Sequence, residues 1–356
     1  MTIDENALRI IEDTSKRISQ MIVRGATNIA IEAMKSLESF IRNVRDNALE
    51  LSFYKAVEIL FKSRPTEPAM QNGIIYVLAT FEKEKQETNS ISELKNALIT
   101  ATREYISLLK TAINKIIEIG WRRVPENGIV MTHCHSSTVV SILQKAKDAG
   151  KKFIIISSET RPLYQGRKTS KELGSYGIKV YHIVDSAMRW AARKFKPDMA
   201  LIGADAVTST GVVINKIGSK LLALVAAEFD FPLYVATTLL KLDPKTLLGG
   251  YTPIEIRDPR EVWENPPRNI EVLNPAFETI DPRYIDGIIT EAGIIPPEIF
   301  QLKFESTYPR IWNIISSEQV RKLFFLKTVW ERDSNDSSRF KSKNNKNGCR
   351  NRGSAP

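Results

Sequence analysis

Apolar residues recur every three or four positions in Ile10, Ile11, Ile18, Met21 and Ile22, and again in Ala101, Tyr105, Leu108, Leu109, Ala112 and Ile116. That spacing lines one face of a helix, so residues 4–120 read as helical. The polar stretch Glu82–Ser90 reads as a loop between helices. In Ser63-Arg64-Pro65-Thr66 the proline forces its predecessor out of the helical region, so the pattern breaks at Arg64.

From Trp121 to Gly128 the texture changes, with Pro125, Asn127 and Gly128 making a break. Beyond it, short apolar runs predict strands at Ile129–Cys134, Phe153–Ser157, Val180–Val184, Ala200–Ile202 and Leu233–Ala236. Amphipathic stretches predict helices at Thr138–Ala149, Ser170–Tyr176, Ser186–Lys194 and Lys216–Phe229. Strands alternating with helices argue for a parallel sheet covered on both faces. The expected fold class is α/β, an all-helical N-terminal domain over residues 1–125 followed by a Rossmann-like parallel-sheet domain over 126–330. In such sheets sites lie at the carboxyl ends of the strands.

Composition narrows the function classes. Of 356 residues, 42% are hydrophobic and 26% charged, as in ordinary globular proteins. No apolar run is long enough to cross a bilayer and Met1–Lys16 lacks the apolar core of a signal peptide, so a cytoplasmic location is expected. The net charge of +10 raises nucleic acid as a partner, but residues 331–356 carry seven basic and three acidic residues and supply +4 of it. That segment, rich in Ser, Asn and Lys, reads as a disordered basic tail, and the remaining +6 suits a protein that grips anionic small molecules. Only Cys134 and Cys349 could form a disulfide, and Cys349 is in the tail, so Cys134 reads as a free thiol. There is no Gly-rich dinucleotide fingerprint and no Walker loop, which argues against NAD or ATP as a bound cofactor.

Cys134 closes the first predicted strand just before Ser136 and Ser137, good helix N-caps. A thiol near the positive end of a helix dipole is expected to have a lowered pKa, which suits a base or nucleophile; the alternative is a small buried apolar cysteine. His133, Cys134 and His135 invite a metal reading, but successive strand residues point to opposite faces and no partner cluster occurs elsewhere. Asp205 follows another predicted strand and would emerge on the same edge as Cys134, making a possible acid–base pair; the alternative is an ordinary loop aspartate. Arg24-Gly25-Ala26, Arg64 with Thr66, Asn215-Lys216-Ile217-Gly218 and Lys241 are candidate anion sites. Lys216 is expected to open a helix whose free N–H groups favour an anion.

Met131-Thr132-His133-Cys134-His135-Ser136, Glu159-Thr160-Arg161-Pro162, Gly203-Ala204-Asp205 and Asn215-Lys216-Ile217-Gly218 together resemble one superfamily. Arg24-Gly25-Ala26, Arg64-Pro65-Thr66, Asn274-Pro275-Ala276-Phe277, Thr290-Glu291 and Gly293-Ile294-Ile295-Pro296-Pro297 extend the likeness, from about Ile10 to Trp312. The superfamily contains archaeal ribose-1,5-bisphosphate isomerase, methylthioribose-1-phosphate isomerase and the regulatory subunits of translation initiation factor 2B. Its regulatory subunits usually lack the cysteine and carry Glu in place of Asp205. Methylthioribose-phosphate isomerases follow the cysteine with Asn-Ala-Gly, where this chain has His135-Ser136-Ser137.

The resemblance is therefore closest to ribose-1,5-bisphosphate isomerase. It implies that Asp205 protonates the ring oxygen, that the Cys134 thiolate takes the C2 proton, and that Arg24, Gly25, Arg64, Ser136, Asn215, Lys216 and Lys241 hold the two phosphates, with Ala26, Thr27, Ser137 and Thr138 beside them. It further implies a place in AMP and nucleoside breakdown, AMP as an activator, dimers assembled into hexamers, and no metal or organic cofactor. The alternatives are a non-catalytic regulatory subunit related to initiation factor 2B, and an isomerase of another 1-phosphorylated pentose. Three positions depart from the pattern. The family's Glu-x-aromatic run before Lys241 is Thr238-Leu239-Leu240, a lysine common after the Cys-His-Ser run is Ser137, and the Gly-Ala-Gly near the N-terminus is Gly25-Ala26-Thr27.

Overall fold

The computed structural model describes residues 3–23, 25–250 and 254–317. The expected basic tail over 331–356, with Cys349, lies outside the described residues, as does Arg24. Among the described residues no helix is long and apolar enough to cross a membrane.

Five helices come first: α1 (Glu5–Ser19), α2 (Ala26–Asn43), α3 (Leu49–Ser63), α4 (Pro68–Glu87) and α5 (Ile91–Gly120). Three of the starts have a local cause in the sequence. Asp4 accepts a hydrogen bond from the N–H of Ala7, Pro68 stands in the first turn of α4, and Ser90 accepts from the N–H of Glu93. The break expected at Arg64 falls between α3 and α4. The loop expected at Glu82–Ser90 does not: α4 continues to Glu87, because Lys83 pairs with Glu87 at 3.1 Å and Lys85 pairs with Glu50 of α3. A solvated last turn held by ion pairs has no apolar face to reveal it.

α5 joins the two halves. Leu98, Tyr105 and Leu109 are buried in the helical core, whereas Ile116 packs with Val139 and Leu143 beneath the sheet. The sheet half comprises β1 (Gly128–Thr132), α6 (Ser137–Asp148), β2 (Phe153–Ser158), α7 (Gln165–Ser175), β3 (Lys179–Ile183), α8 (Met188–Phe195) and β4 (Met199–Ile202). A small excursion, β5 (Ala206–Val207) and β6 (Val213–Lys216), precedes α9 (Ser219–Glu228) and β7 (Leu233–Ala236). Then come β8 (Phe277–Ile280), β9 (Gly287–Thr290), β10 (Gly293–Ile295), α10 (Phe300–Thr307) and α11 (Pro309–Ile315).

The main sheet has the order β10-β9-β7-β4-β1-β2-β3, parallel except for β10, and β5-β6-β8 form a second, antiparallel sheet. The α/β expectation holds, and so does each of the five strands within a residue or two. β1 ends at Thr132, however, two residues before Cys134. α7 starts at Gln165 rather than Ser170, and Lys216 ends a strand, with α9 starting at Ser219. From β1 the chain runs outward to β2 and β3 and then returns to β4 on the other side. The strand order therefore reverses between β1 and β4, where open α/β sheets leave a crevice beyond the carboxyl ends.

Candidate active site

Cys134 leaves β1 and Asp205 leaves β4, so the two flank that crevice. Their strands pair Val130 with Met199 and Met131 with Ala200, and Thr132 Oγ1 donates to the Leu201 carbonyl at 2.7 Å. Gly203 lets the two ends approach: a Cβ there would lie 2.8 Å from Ser136 Oγ.

The cysteine is held from every side. His133 beneath it is buried, with Nε2 2.8 Å from the Ile217 carbonyl and Nδ1 2.6 Å from Ser158 Oγ. A carbonyl only accepts, so Nε2 carries the proton and Nδ1 accepts from the serine hydroxyl. Burial lowers the pKa of this imidazole and favours the neutral ring. Cys134 takes a left-handed φ of +66°, a conformation that costs about 1 kcal/mol or more and persists only when its surroundings enforce it. Here its N–H donates to Thr160 Oγ1 at 2.9 Å and its carbonyl accepts from Thr169 Oγ1 at 2.8 Å. Thr160 is pinned in turn, its N–H donating to Asp185 Oδ1 at 2.8 Å. His135 turns the other way, to Thr169 Oγ1 at 3.1 Å, and Ser136 caps α6.

The expected lowering of the thiol pKa is reversed. Burial pushes Cys134 up to about 12, and the carboxylates of Asp205 and Asp185 push the same way, while Lys216 pulls it down. Proximity to a helix start is a local effect, and desolvation by the tertiary fold outweighs it. Asp205 is half-buried, and its N–H donates to the Ile214 carbonyl at 2.9 Å, so the β5–β6 hairpin fixes it.

The candidate anion ligands divide. Arg64 and Lys216 are both buried and flank the ring of Phe277, the guanidinium carbon 6.0 Å and Lys216 Nζ 4.5 Å from its centre. Lys241 is held at the carboxyl end of β4, Nζ donating to the Ala204 carbonyl at 2.6 Å, with burial lowering its pKa and Asp205 and Glu67 raising it. Arg64 also touches Met21 Sδ, which brings the turn before Gly25 to the same corner. Gly25, at φ +86°, starts α2 without a side-chain cap, followed by buried Ala26 and half-buried Thr27. Ser137 is exposed and Thr138 half-buried in the first turn of α6.

Asn215 and the helix start expected as an anion site both have partners within the fold. Asn215 Nδ2 donates to Ser219 Oγ at 2.9 Å, inside the protein. The N-terminus of α9 already holds an anion, for the N–H groups of Gly218 and Lys220 donate to Glu278 Oε1 at 2.5 and 2.9 Å. The helix-start site expected at Lys216 is therefore filled by a carboxylate of the chain itself.

Residues that pattern reading missed complete the corner. Glu67 is 1% exposed, its Oε1 3.1 Å from Arg64 Nε. Burial first of all, with Asp205 and Glu255 adding to it, raises its pKa to about 7, against Arg64 and Lys241. Glu67 thus gives Lys241 a neighbouring carboxylate although the preceding run has none. Asn72 Nδ2 donates to the carbonyls of Leu240 and Leu242 at 2.9 and 3.0 Å, docking α4 onto the Lys241 segment. Buried oxygens of Thr66, Glu67, Gln71, Asn72 and Thr237 have no hydrogen-bond partner among the described residues. Glu291, whose pKa burial raises, accepts from Thr238 Oγ1, Leu239 N and Tyr308 Oη and so anchors the same segment. No local signal marks Glu67: in the sequence it is one acidic residue beside a proline.

Residues 22–297 match the model of the initiation factor 2 subunit family. The chain is 39% identical over 298 residues to ribose 1,5-bisphosphate isomerase of Pyrococcus furiosus, covering 82% of this chain and 91% of that protein. Its fold is similar to the crystal structure of translation initiation factor eIF-2B from Pyrococcus horikoshii, with a TM-score of 0.69 and 27% identity over 83% of this chain and 98% of that one. It is similar also to 5-methylthioribose 1-phosphate isomerase of the same organism, with a TM-score of 0.68 and 26% identity over 85% and 88% of the two chains.

Proposed function

The chain belongs to the initiation factor 2 subunit family, and from that premise we propose that it is an aldose–ketose isomerase converting ribose 1,5-bisphosphate to ribulose 1,5-bisphosphate. One observation carries the reading: Cys134 follows β1 and Asp205 follows β4, the two strands that flank the sheet's crossover. Arg64, Lys216 and Lys241 supply the positive charge that a bisphosphate needs. The 39% identity to the Pyrococcus furiosus isomerase supports the choice of substrate.

The chemistry balances on these two groups. The Cys134 thiolate removes the C2 proton as the C1–O4 bond breaks, and protonated Asp205 gives its proton to O4. A C1=C2 enol results, with phosphate still on C1 and hydroxyl on C2. Asp205, now a carboxylate, takes the O2 proton, and the Cys134 thiol returns a proton to C1, leaving a ketone at C2. Both groups end as they began. Burial favours the neutral thiol of Cys134. The working pair is the Cys134 thiolate with protonated Asp205, and Lys216 favours that thiolate.

The same reading carries a role in AMP breakdown, activation by AMP, a cytoplasmic location and assembly from dimers into hexamers, each supported by resemblance to the archaeal isomerases. Stimulation by AMP and the mass in solution test the activator and the assembly. Purified protein should convert ribose 1,5-bisphosphate to ribulose 1,5-bisphosphate. Cys134→Ser and Asp205→Asn should each cost about a hundredfold or more in kcat, and undiminished turnover in both would remove the assignment.

The likeness to an initiation factor 2B structure supports a second reading, a non-catalytic regulatory subunit. Capture of initiation factor 2 together with no turnover of any 1-phosphorylated pentose would favour it.

A further inference from the structure

Arg64, a candidate phosphate ligand, is already neutralised by the protein's own carboxylates. Its Nε lies 3.1 Å from Glu67 Oε1 and its Nη2 3.6 Å from Glu255 Oε2. The Arg64 and Glu67 side chains are 7% and 2% exposed, so water does little to screen them. Glu67 Oε2 has no hydrogen-bond partner among the described residues. The charged groups acting on Glu67 come from four segments: Arg64 after α3, Asp205 after β4, Lys241 after β7 and Glu255 before β8. An anion arriving at Arg64 therefore meets a buried carboxylate on the same guanidinium. Two such charges at contact distance repel strongly in a poorly solvated site.

We propose that Glu67 is a positioning residue for anion binding at Arg64: it takes up a proton before an anionic group of the substrate can share the guanidinium, so binding is coupled to the uptake of one proton. Protonation does more than remove a competitor. A carboxylic acid has an O–H to donate, so Glu67 changes from a rival of the incoming oxygen into a ligand for it. The raised pKa of Glu67, about 7, puts this change in the neutral range. The inference rests on the reading of Arg64 as an anion ligand and requires no isomerase activity.

The probe is sulfate, which stays fully ionised across the range, so that any change with pH belongs to the protein. Binding to the full chain is followed by calorimetry between about pH 6 and about pH 8.5, in buffers of different ionisation enthalpy. Wild-type affinity should fall about tenfold per pH unit above about pH 7, with close to one proton taken up on binding. Glu67→Gln, which keeps the shape and cannot ionise, should bind with no such slope and no proton uptake, and Glu67→Asp should restore part of the slope. The KM for ribose 1,5-bisphosphate should follow the same pattern. A slope retained in Glu67→Gln, or no sulfate binding by wild type at either end of the range, overturns the proposal. Sulfate linkage without turnover keeps it and removes the isomerase reading; turnover without linkage does the reverse.

Discussion

The two sides of the site are built on opposite principles. Around Cys134 the polar groups are paired: His133, Ser158, Thr160, Thr169 and Asp185 close a network that holds one residue in a left-handed conformation. Around Arg64 and the Lys241 segment they are not, and oxygens of Thr66, Glu67, Gln71, Asn72 and Thr237 are buried without hydrogen-bond partners among the described residues. An unpaired buried polar group costs about 1–3 kcal/mol, so a cluster of them marks where the protein gives up stability. On the proposed function, the paired side fixes the reacting atom and the unpaired side offers polar groups to the oxygens of a ligand.

The largest effect expected from this contrast is on the thiol. In a Cys349→Ser background, alkylation of Cys134 should be slow near neutral pH and accelerate about tenfold per pH unit well into the alkaline range, since only the thiolate reacts. A plateau near pH 8 would mean that burial does not govern the sulfur. Next comes Glu67. Burial raises the pKa of its carboxyl to about 7, against 4.5 for an ordinary glutamate. The folded state is therefore penalised as pH rises through that window, and the penalty is complete above it. Glu67→Gln should stabilise the protein by about 3 kcal/mol near pH 8.5 and by less than about 1 kcal/mol near pH 5, read from denaturant melts.

The smallest effects form a matched pair. Thr160→Val strips the hydroxyl that receives the Cys134 N–H and should cost about 1–3 kcal/mol. Thr237→Val removes a buried hydroxyl with no hydrogen-bond partner among the described residues and should raise stability by about 1–3 kcal/mol, while weakening substrate binding. Equal losses of stability in the two variants would erase the distinction between the sides.

Much of this was legible in the sequence. Apolar runs alternating with amphipathic stretches gave the central strands, and the positions of Cys134 and Asp205 after two of them put both at one edge. β9 and β10 escaped because no amphipathic helix separates them from each other or from β8, so the alternation of strand and helix that marks the other strands is absent there. Lys216 was misread because Asn215-Lys216-Ile217-Gly218 continues into a helix with no apolar break, although Gly218, at φ +99°, starts that helix only after the strand has ended. The thiol was misjudged in direction because a helix start is visible locally and burial is not. Glu67 was invisible for the same reason: it is buried by α4 docking on a segment about 170 residues away.

The proposed isomerisation requires a sulfur base that takes a proton from C2 of a sugar phosphate. The direct measurement is to follow ribose 1,5-bisphosphate by NMR in deuterated water with wild type, Cys134→Ser and Asp205→Asn. The prediction is ribulose 1,5-bisphosphate carrying deuterium at C1 in part of the product, and turnover nearly abolished in both variants. Product without deuterium at C1, formed as fast by Cys134→Ser as by wild type, would contradict it.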